Sequence, residues 1–179
     1  MNHVGTYEIK GERVVLRPYT LNDVDEFYDN YGSDPKVQKY FNFAADGSRE
    51  ASEAYIKSCV EKYDDPAFYA WAVLVEGKVV GGIALSNIDE KSDAAELQAS
   101  LGSEFWWKGF TTESARIVKD LAFNTIGIHR LYGMHHVDNV SHGSMLIKVG
   151  MEPEGVLKEA HKNPDGSYSN AKLYAVCNK

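Results

Sequence analysis

The stretch Phe105-Trp106-Trp107-Lys108-Gly109-Phe110-Thr111-Thr112-Glu113-Ser114 sets a lysine and a glycine at the mouth of a helical pattern, Thr111 to Ile126, just after a strand-like segment, Ala95 to Leu101. The first N–H groups of a helix have no intrahelical partners and the dipole is positive there, so such a junction can receive phosphate. Gly109 lets the backbone approach a ligand closely and Lys108 adds charge. A P-loop needs its lysine after the glycine, and a dinucleotide fingerprint needs three glycines behind the first strand. Neither pattern is present. Proton transfer near neutral pH falls to histidine, of which there are six: His3, His129, His135, His136, His142 and His161. His135 and His136 are adjacent on a strand-like run, so only one can face a given cleft. No pair has metal-ligand spacing, and no metal is expected.

Positioning these groups falls to alternating and helical runs spread along the chain. Glu12 to Pro18 alternates as a strand, and Thr20 can cap a helix whose apolar residues Leu21, Val24, Phe27, Tyr28 and Tyr31 share a face. Helices follow over Pro35 to Tyr40 and Arg49 to Tyr63. Tyr69 to Glu76 and Lys78 to Leu85 read as a hairpin turning at Glu76-Gly77, with Gly81-Gly82 marking a bulge or close backbone approach. The helix from Thr111 stops at Gly127; Arg130 to His136 is a strand, Asn139 to Val149 a helix closed by Gly150. Met151 to Leu157 and Ala171 to Cys177 are two last strands about the turn Asn163 to Gly166. There is no linker or repeat, so residues 1–179 read as a single α+β domain.

Composition narrows the partners. Nineteen basic and 26 acidic residues leave a net charge of −7, which argues against nucleic acid and acidic membranes as partners. No apolar run is long enough to span a membrane. Met1 to Gly5 lacks the basic-then-apolar pattern of an export signal, and Cys59 and Cys177 read as reduced thiols, so a cytoplasmic location is expected. A small anionic cofactor and a cationic acceptor fit this balance; a homodimer is compatible with it.

Taken in order, the segments resemble a GNAT N-acetyltransferase of the RimJ/RimL-like branch. Those that carry the resemblance are Leu16-Arg17-Pro18, Ser33-Asp34-Pro35-Lys36-Val37, Val79-Val80-Gly81-Gly82-Ile83 and Ala95-Glu96-Leu97. They continue through Trp106-Trp107-Lys108-Gly109-Phe110, Ile128-His129-Arg130-Leu131, Asp138-Asn139 and Lys148-Val149-Gly150-Met151, ending with Glu154-Gly155-Val156-Leu157 and Gly166-Ser167-Tyr168. The resemblance implies a mixed, mostly antiparallel sheet of about seven strands, flanked by about four helices and splayed beside the strand that binds acetyl-CoA. It also implies that Ala99 and Leu101 offer backbone groups to the pantetheine arm. Amides from Trp107, Lys108, Gly109, Phe110, Thr111 and Thr112 would hold the pyrophosphate, and Asn139 would touch the cofactor arm.

The sequence departs from that branch at four places. Trp107 stands in place of Gly and Thr111 in place of Ala; His142 replaces a Ser, and His161 replaces a Glu proposed as general base. His161, His142 and Glu96, the last acting through a water, are the candidate catalytic groups, and Tyr40, Phe41 and Phe43 the candidate acceptor walls. The implied activity moves an acetyl group from acetyl-CoA to a primary amine, either a protein N-terminus or a small molecule, without a metal. A non-catalytic acyl-CoA-binding module on the same fold is the alternative.

Overall fold

The computed structural model describes residues 1–40, 47–163 and 165–179. Its eight strands are β1 (Ile9–Lys10), β2 (Val14–Arg17), β3 (Tyr69–Val75), β4 (Lys78–Asp89), β5 (Ala94–Leu101), β6 (Arg130–His136), β7 (Glu152–Lys162) and β8 (Tyr168–Cys177). They form one sheet in the order β1-β2-β3-β4-β5-β6-β8-β7, in which β5 and β6 run parallel and every other neighbouring pair antiparallel. Among the described residues the sheet has eight strands where about seven were expected. The extra one, β1, is two residues long, too short to show alternation, and exists through its pairing with β2.

Strand β7 also runs five residues past Leu157, which puts His161 on a strand rather than in a loop. Register shifts between Leu157 and His161, with Glu159 at φ +51°, erase the period that would have marked the extension in sequence.

The helical segments among the described residues are α1 (Val24–Phe27), α2 (Pro35–Gln38), α3 (Arg49–Val60), α4 (Phe110–Leu121) and α5 (Val140–Lys148), five where about four were expected. The helix expected after Thr20 is irregular: a 3-10 turn over Leu21–Asp23 precedes α1 and a π turn over Tyr28–Gly32 follows it. Leu21 is exposed as a result. The Asp23 carboxylate fixes this start by accepting the Thr20 N–H at 2.7 Å and pairing with Arg17 at 2.7 Å.

Helices cover both sheet faces, so β3 is apolar throughout rather than alternating. Trp71 and Val73 join a core with α4 and α5, whereas Ala70 and Ala72 join Phe27, Tyr31 and Ile56 of the α1–α3 layer. Burying a large apolar side chain contributes about 1.5–3 kcal/mol.

The parallel pair is where the sheet opens. β5 and β6 are in register from Ala94↔Arg130 only to Glu96↔Tyr132, although β5 continues to Leu101 and β6 to His136. On the other side β5 stays paired with β4 as far as Gly81↔Leu101. Gly81 holds φ +148° beside a register shift against β3, and a side chain there would strike the Ser100 carbonyl and lie 2.8 Å from Leu101 Cα. The glycine draws this end of β5 onto β4, leaving a gap toward β6.

Candidate active site

On the α4/α5 face of the gap, the structure exposes the start of α4. Side chains cap three other helices: Asp34 accepts from Lys36 N–H, Ser48 from Ala51 N–H and Asn139 from His142 N–H. At α4 the N-cap is Gly109, φ +88°, and no side chain caps the first turn. Its amides therefore point outward with the positive end of the helix dipole.

The loop before α4 is held from behind. Arg13 Nη1 donates to the Lys108 carbonyl at 3.0 Å, Arg13 Nε donates to Glu113 at 3.0 Å, and its guanidinium lies 5.1 Å from the Phe110 ring centroid. Burial pushes the Glu113 carboxyl up, but its hydrogen bonds from Arg13 outweigh this and hold it below its usual range. Trp106 anchors the loop by donating its indole N–H to the Leu101 carbonyl at 2.6 Å. Trp107 takes the left-handed conformation, φ +63°, and its side chain stands 72% exposed.

A cavity of about 220 Å³ adjoins this loop. Ala99, Leu101, Trp107, Lys108, Gly109, Thr111, Thr112 and Asn139, the residues the resemblance implies for the cofactor, are among those lining it. Phe110 differs: its ring packs toward Arg13 and the core, so only its amide belongs to the helix mouth. Ser141, Ser144, Met145 and Lys148 of α5 also line it and were not anticipated, because nothing in the sequence shows α5 lying beside α4. Gly102 N–H donates to Val80 on β4, whereas the Leu101 carbonyl turns away to Trp106. Antiparallel alternation then directs the Ala99 amide and carbonyl into the gap as well.

On the α1–α3 face a second cavity, of about 360 Å³, opens into the same gap. Glu96, Gln98 and Ser100 reach it from β5, Met134 and His136 from β6, Ala171 from β8 and His161 from β7. Tyr40 borders it with its ring 5.5 Å from that of His136. Phe41 and Phe43 lie outside the described residues. Tyr19, Phe27, Tyr31 and Tyr55 form the far wall, which the sequence reading assigned to core packing or left aside. Ala99, Ser100, Asn139 and His142 border both cavities, so the two meet through the sheet.

Four histidines, His135, His136, His142 and His161, line the larger cavity. The His161 ring stands edge-on to His136 at 5.2 Å, and its Nε2 is buried with no hydrogen-bond partner among the described residues. Burial, then the nearby His136, lowers its pKa. His136 Nδ1 accepts the Asp138 N–H at 3.1 Å, which leaves Nε2 to carry the proton in the neutral ring. His142 is buried on α5, 6.0 Å from His135, and its pKa is pushed down to about 4 by burial and then by His135. It is neutral at pH 7. Glu96 is buried, accepts Asn87 Nδ2 at 2.7 Å, and has its pKa raised by burial. His129 and His3 border neither cavity.

A phosphate-ready helix mouth and a second cavity meeting at a splayed parallel pair narrow the choice of family. A model of the acetyltransferase (GNAT) domain matches residues 13–152. The chain belongs to the GNAT acetyltransferase family. Among relatives of this GNAT protein, the uncharacterized N-acetyltransferase p20 of Bacillus licheniformis is 26% identical over 153 residues, covering 84% of this chain and 85% of the relative. Spermidine N(1)-acetyltransferase of Escherichia coli K12 is 26% identical over 160 residues, covering 88% and 82%. RimL, a ribosomal L7/L12 alpha-N-protein acetyltransferase solved with coenzyme A, superposes with a TM-score of 0.83 at 17% identity over 95% of this chain and 97% of that one. The GNAT chain is thus an acetyltransferase of an acetyl-CoA-dependent family. Among the described residues no helix is long and apolar enough to cross a membrane, and no cluster of three metal-ligating side chains occurs.

Proposed function

We propose that this GNAT domain moves the acetyl group of acetyl-CoA to a primary amine by direct attack, the two co-substrates entering from opposite faces of the sheet. The observation that carries this is the pair of cavities joined at Ala99, Ser100, Asn139 and His142. Amides of the Trp107–Thr112 loop and the α4 start, with Lys108 and Lys148 nearby, suit a pyrophosphate. When bound, the co-substrate supplies a thioester carbonyl as electrophile. The Ala99 amide, turned into the gap, can donate to that oxygen as charge develops on it.

His161 takes the proton of the amine. Its lowered pKa keeps the ring unprotonated at neutral pH, and its Nε2 has no competing donor among the described residues. An α-amine with a pKa of about 8 needs little more than such a base, whereas an alkylamine near about 10.4 arrives protonated and demands more of it. The thiolate, from a thiol of pKa about 8.5, leaves without obligatory help, which frees His142 to pack and position rather than to donate. Glu96, bordering the acceptor cavity, is the second candidate for proton transfer, through a water. The RimJ/RimL-like placement within the family rests on the motif order together with the likeness to RimL.

Calorimetry with acetyl-CoA, followed by thiol-release assays on peptides and small amines, tests the reading. Binding in the micromolar range together with thiol release supports it. Binding without turnover on any amine instead favours a non-catalytic acyl-CoA-binding module.

A further inference from the structure

Shape and charge of the larger cavity select among amines. We propose that the acceptor is a compact primary monoamine whose body is uncharged and apolar or aromatic, rather than a polyamine, an amino acid or a peptide N-terminus. This inference rests on the acetyl-transfer reading above and adds the acceptor class to it.

Three features support it. The wall is a mutually packed aromatic cluster: Tyr19 meets Phe27 edge-on at 5.6 Å, Phe27 stacks on Tyr55 at 5.6 Å, and Tyr31 lies 4.9 Å from Phe27. Rings in these arrangements are rigid and fit a flat or branched apolar body. The volume, about 360 Å³, stands near the small end of the range for small-molecule sites.

Charge is the second feature. No lysine or arginine is among the described residues that line the cavity. The His135 and His161 imidazoles are held toward the neutral form by burial, and burial raises the Tyr19, Tyr31 and Tyr55 phenols. An amine bearing a carboxylate or phosphate would therefore lose its hydration without gaining a counter-charge. The third feature is that Glu96 is the single carboxylate among the described residues lining the cavity, on the last β5 residue in register with β6, where the gap begins. One carboxylate matches one ammonium. A polyamine would bury further ammonium groups against rings, and a peptide would leave its backbone amides unpaired.

The test is steady-state thiol release at saturating acetyl-CoA with 2-phenylethylamine, L-phenylalanine, spermidine and an alanine-led tetrapeptide. The first two differ only by the carboxylate. The kcat/KM for 2-phenylethylamine is expected to exceed each of the others at least about tenfold. Equal or better use of L-phenylalanine, spermidine or the peptide overturns the proposal. Glu96→Gln, which keeps the shape, is expected to raise KM for 2-phenylethylamine about tenfold, with acetyl-CoA affinity within about twofold of the parent. A fall in kcat at constant KM would overturn the counter-charge role and make Glu96 a proton carrier. Acetyl-CoA binding with turnover of none of the four amines overturns the transfer reading itself, and the acceptor class with it.

Discussion

The two mouths of the gap are built from different materials. On the α4/α5 face the site is mostly backbone: an uncapped helix start, a glycine at φ +88° and an open strand edge, drawn largely from residues 99–112. On the α1–α3 face it is mostly side chains, from strands β5 to β8 and from the segment around α1 to α3. A backbone site tolerates changes of side chain provided the φ angles survive. A side-chain site depends on each ring and each titrating group. Mutations should therefore split cleanly between cofactor affinity on one face and turnover on the other.

The sharpest break falls on the acceptor face. His161→Ala is expected to lower kcat roughly 10²–10⁴-fold, with acetyl-CoA affinity by calorimetry nearly unchanged. In the parent enzyme the rise of kcat/KM with pH should have its midpoint below the ordinary histidine value of about 6.5, because burial and His136 both favour the neutral ring. His136→Gln removes the second of these causes, so the midpoint should move upward. Full turnover in His161→Ala, or a midpoint indifferent to His136, would dissolve the contrast between the faces.

The mirror image is expected at the helix mouth. Gly109→Val forces a branched residue to a positive φ and sets its Cβ 3.1 Å from Arg13 Nη2. Acetyl-CoA affinity should fall on the order of 10²-fold, against about threefold for Lys108→Ala. Equal small losses would place the phosphates away from this loop.

His142, at the junction, sharpens the comparison through stability rather than rate. Its pKa is pushed down to about 4 by burial. The unfolded chain, titrating near 6.5, therefore binds a proton that the folded one refuses. Stability is intact above about pH 6.5 and falls by up to about 3 kcal/mol as the pH drops toward 4. Urea unfolding of His142→Gln should show a flatter decline over that window than the parent; parallel curves would refute the assignment. The smallest effect belongs to Trp107→Gly. Glycine adopts φ +63° freely, so the thermal midpoint should hold or rise, while loss of the exposed ring should weaken acetyl-CoA about threefold to tenfold. An unchanged affinity would mean that the indole does not cover the cofactor.

These differences track what a linear sequence can encode. The loop 105–114, the stops at Gly127 and Gly150, the hairpin at Glu76-Gly77 and the close approach at Gly81 were all legible, because each depends on a local backbone preference within a few residues. So were β3, a continuous apolar run, and β6 and the buried stripe of α4, whose periods are regular. Two features were lost for local reasons: β1 is too short to carry a period, and the bulges of β7 interrupt one.

What only the tertiary structure decided is the pairing of distant groups. Arg13 clamps a loop 95 residues away. His161 meets His136 because β8 carries β7 alongside β6, and Tyr19, Tyr31 and Tyr55 become a cavity wall only when their layer docks on the β5 edge. The grouping of the histidines also lies beyond the linear code: His135 comes beside His142 and His136 beside His161, and burial then lowers the pKa of His135, His142 and His161. Sequence determined where the backbone could bend, stop a helix and leave a helix start uncapped, since those are properties of neighbouring residues. The fold decided which side chains share a cavity and what charge they carry, since proximity and desolvation exist only after the layers have packed.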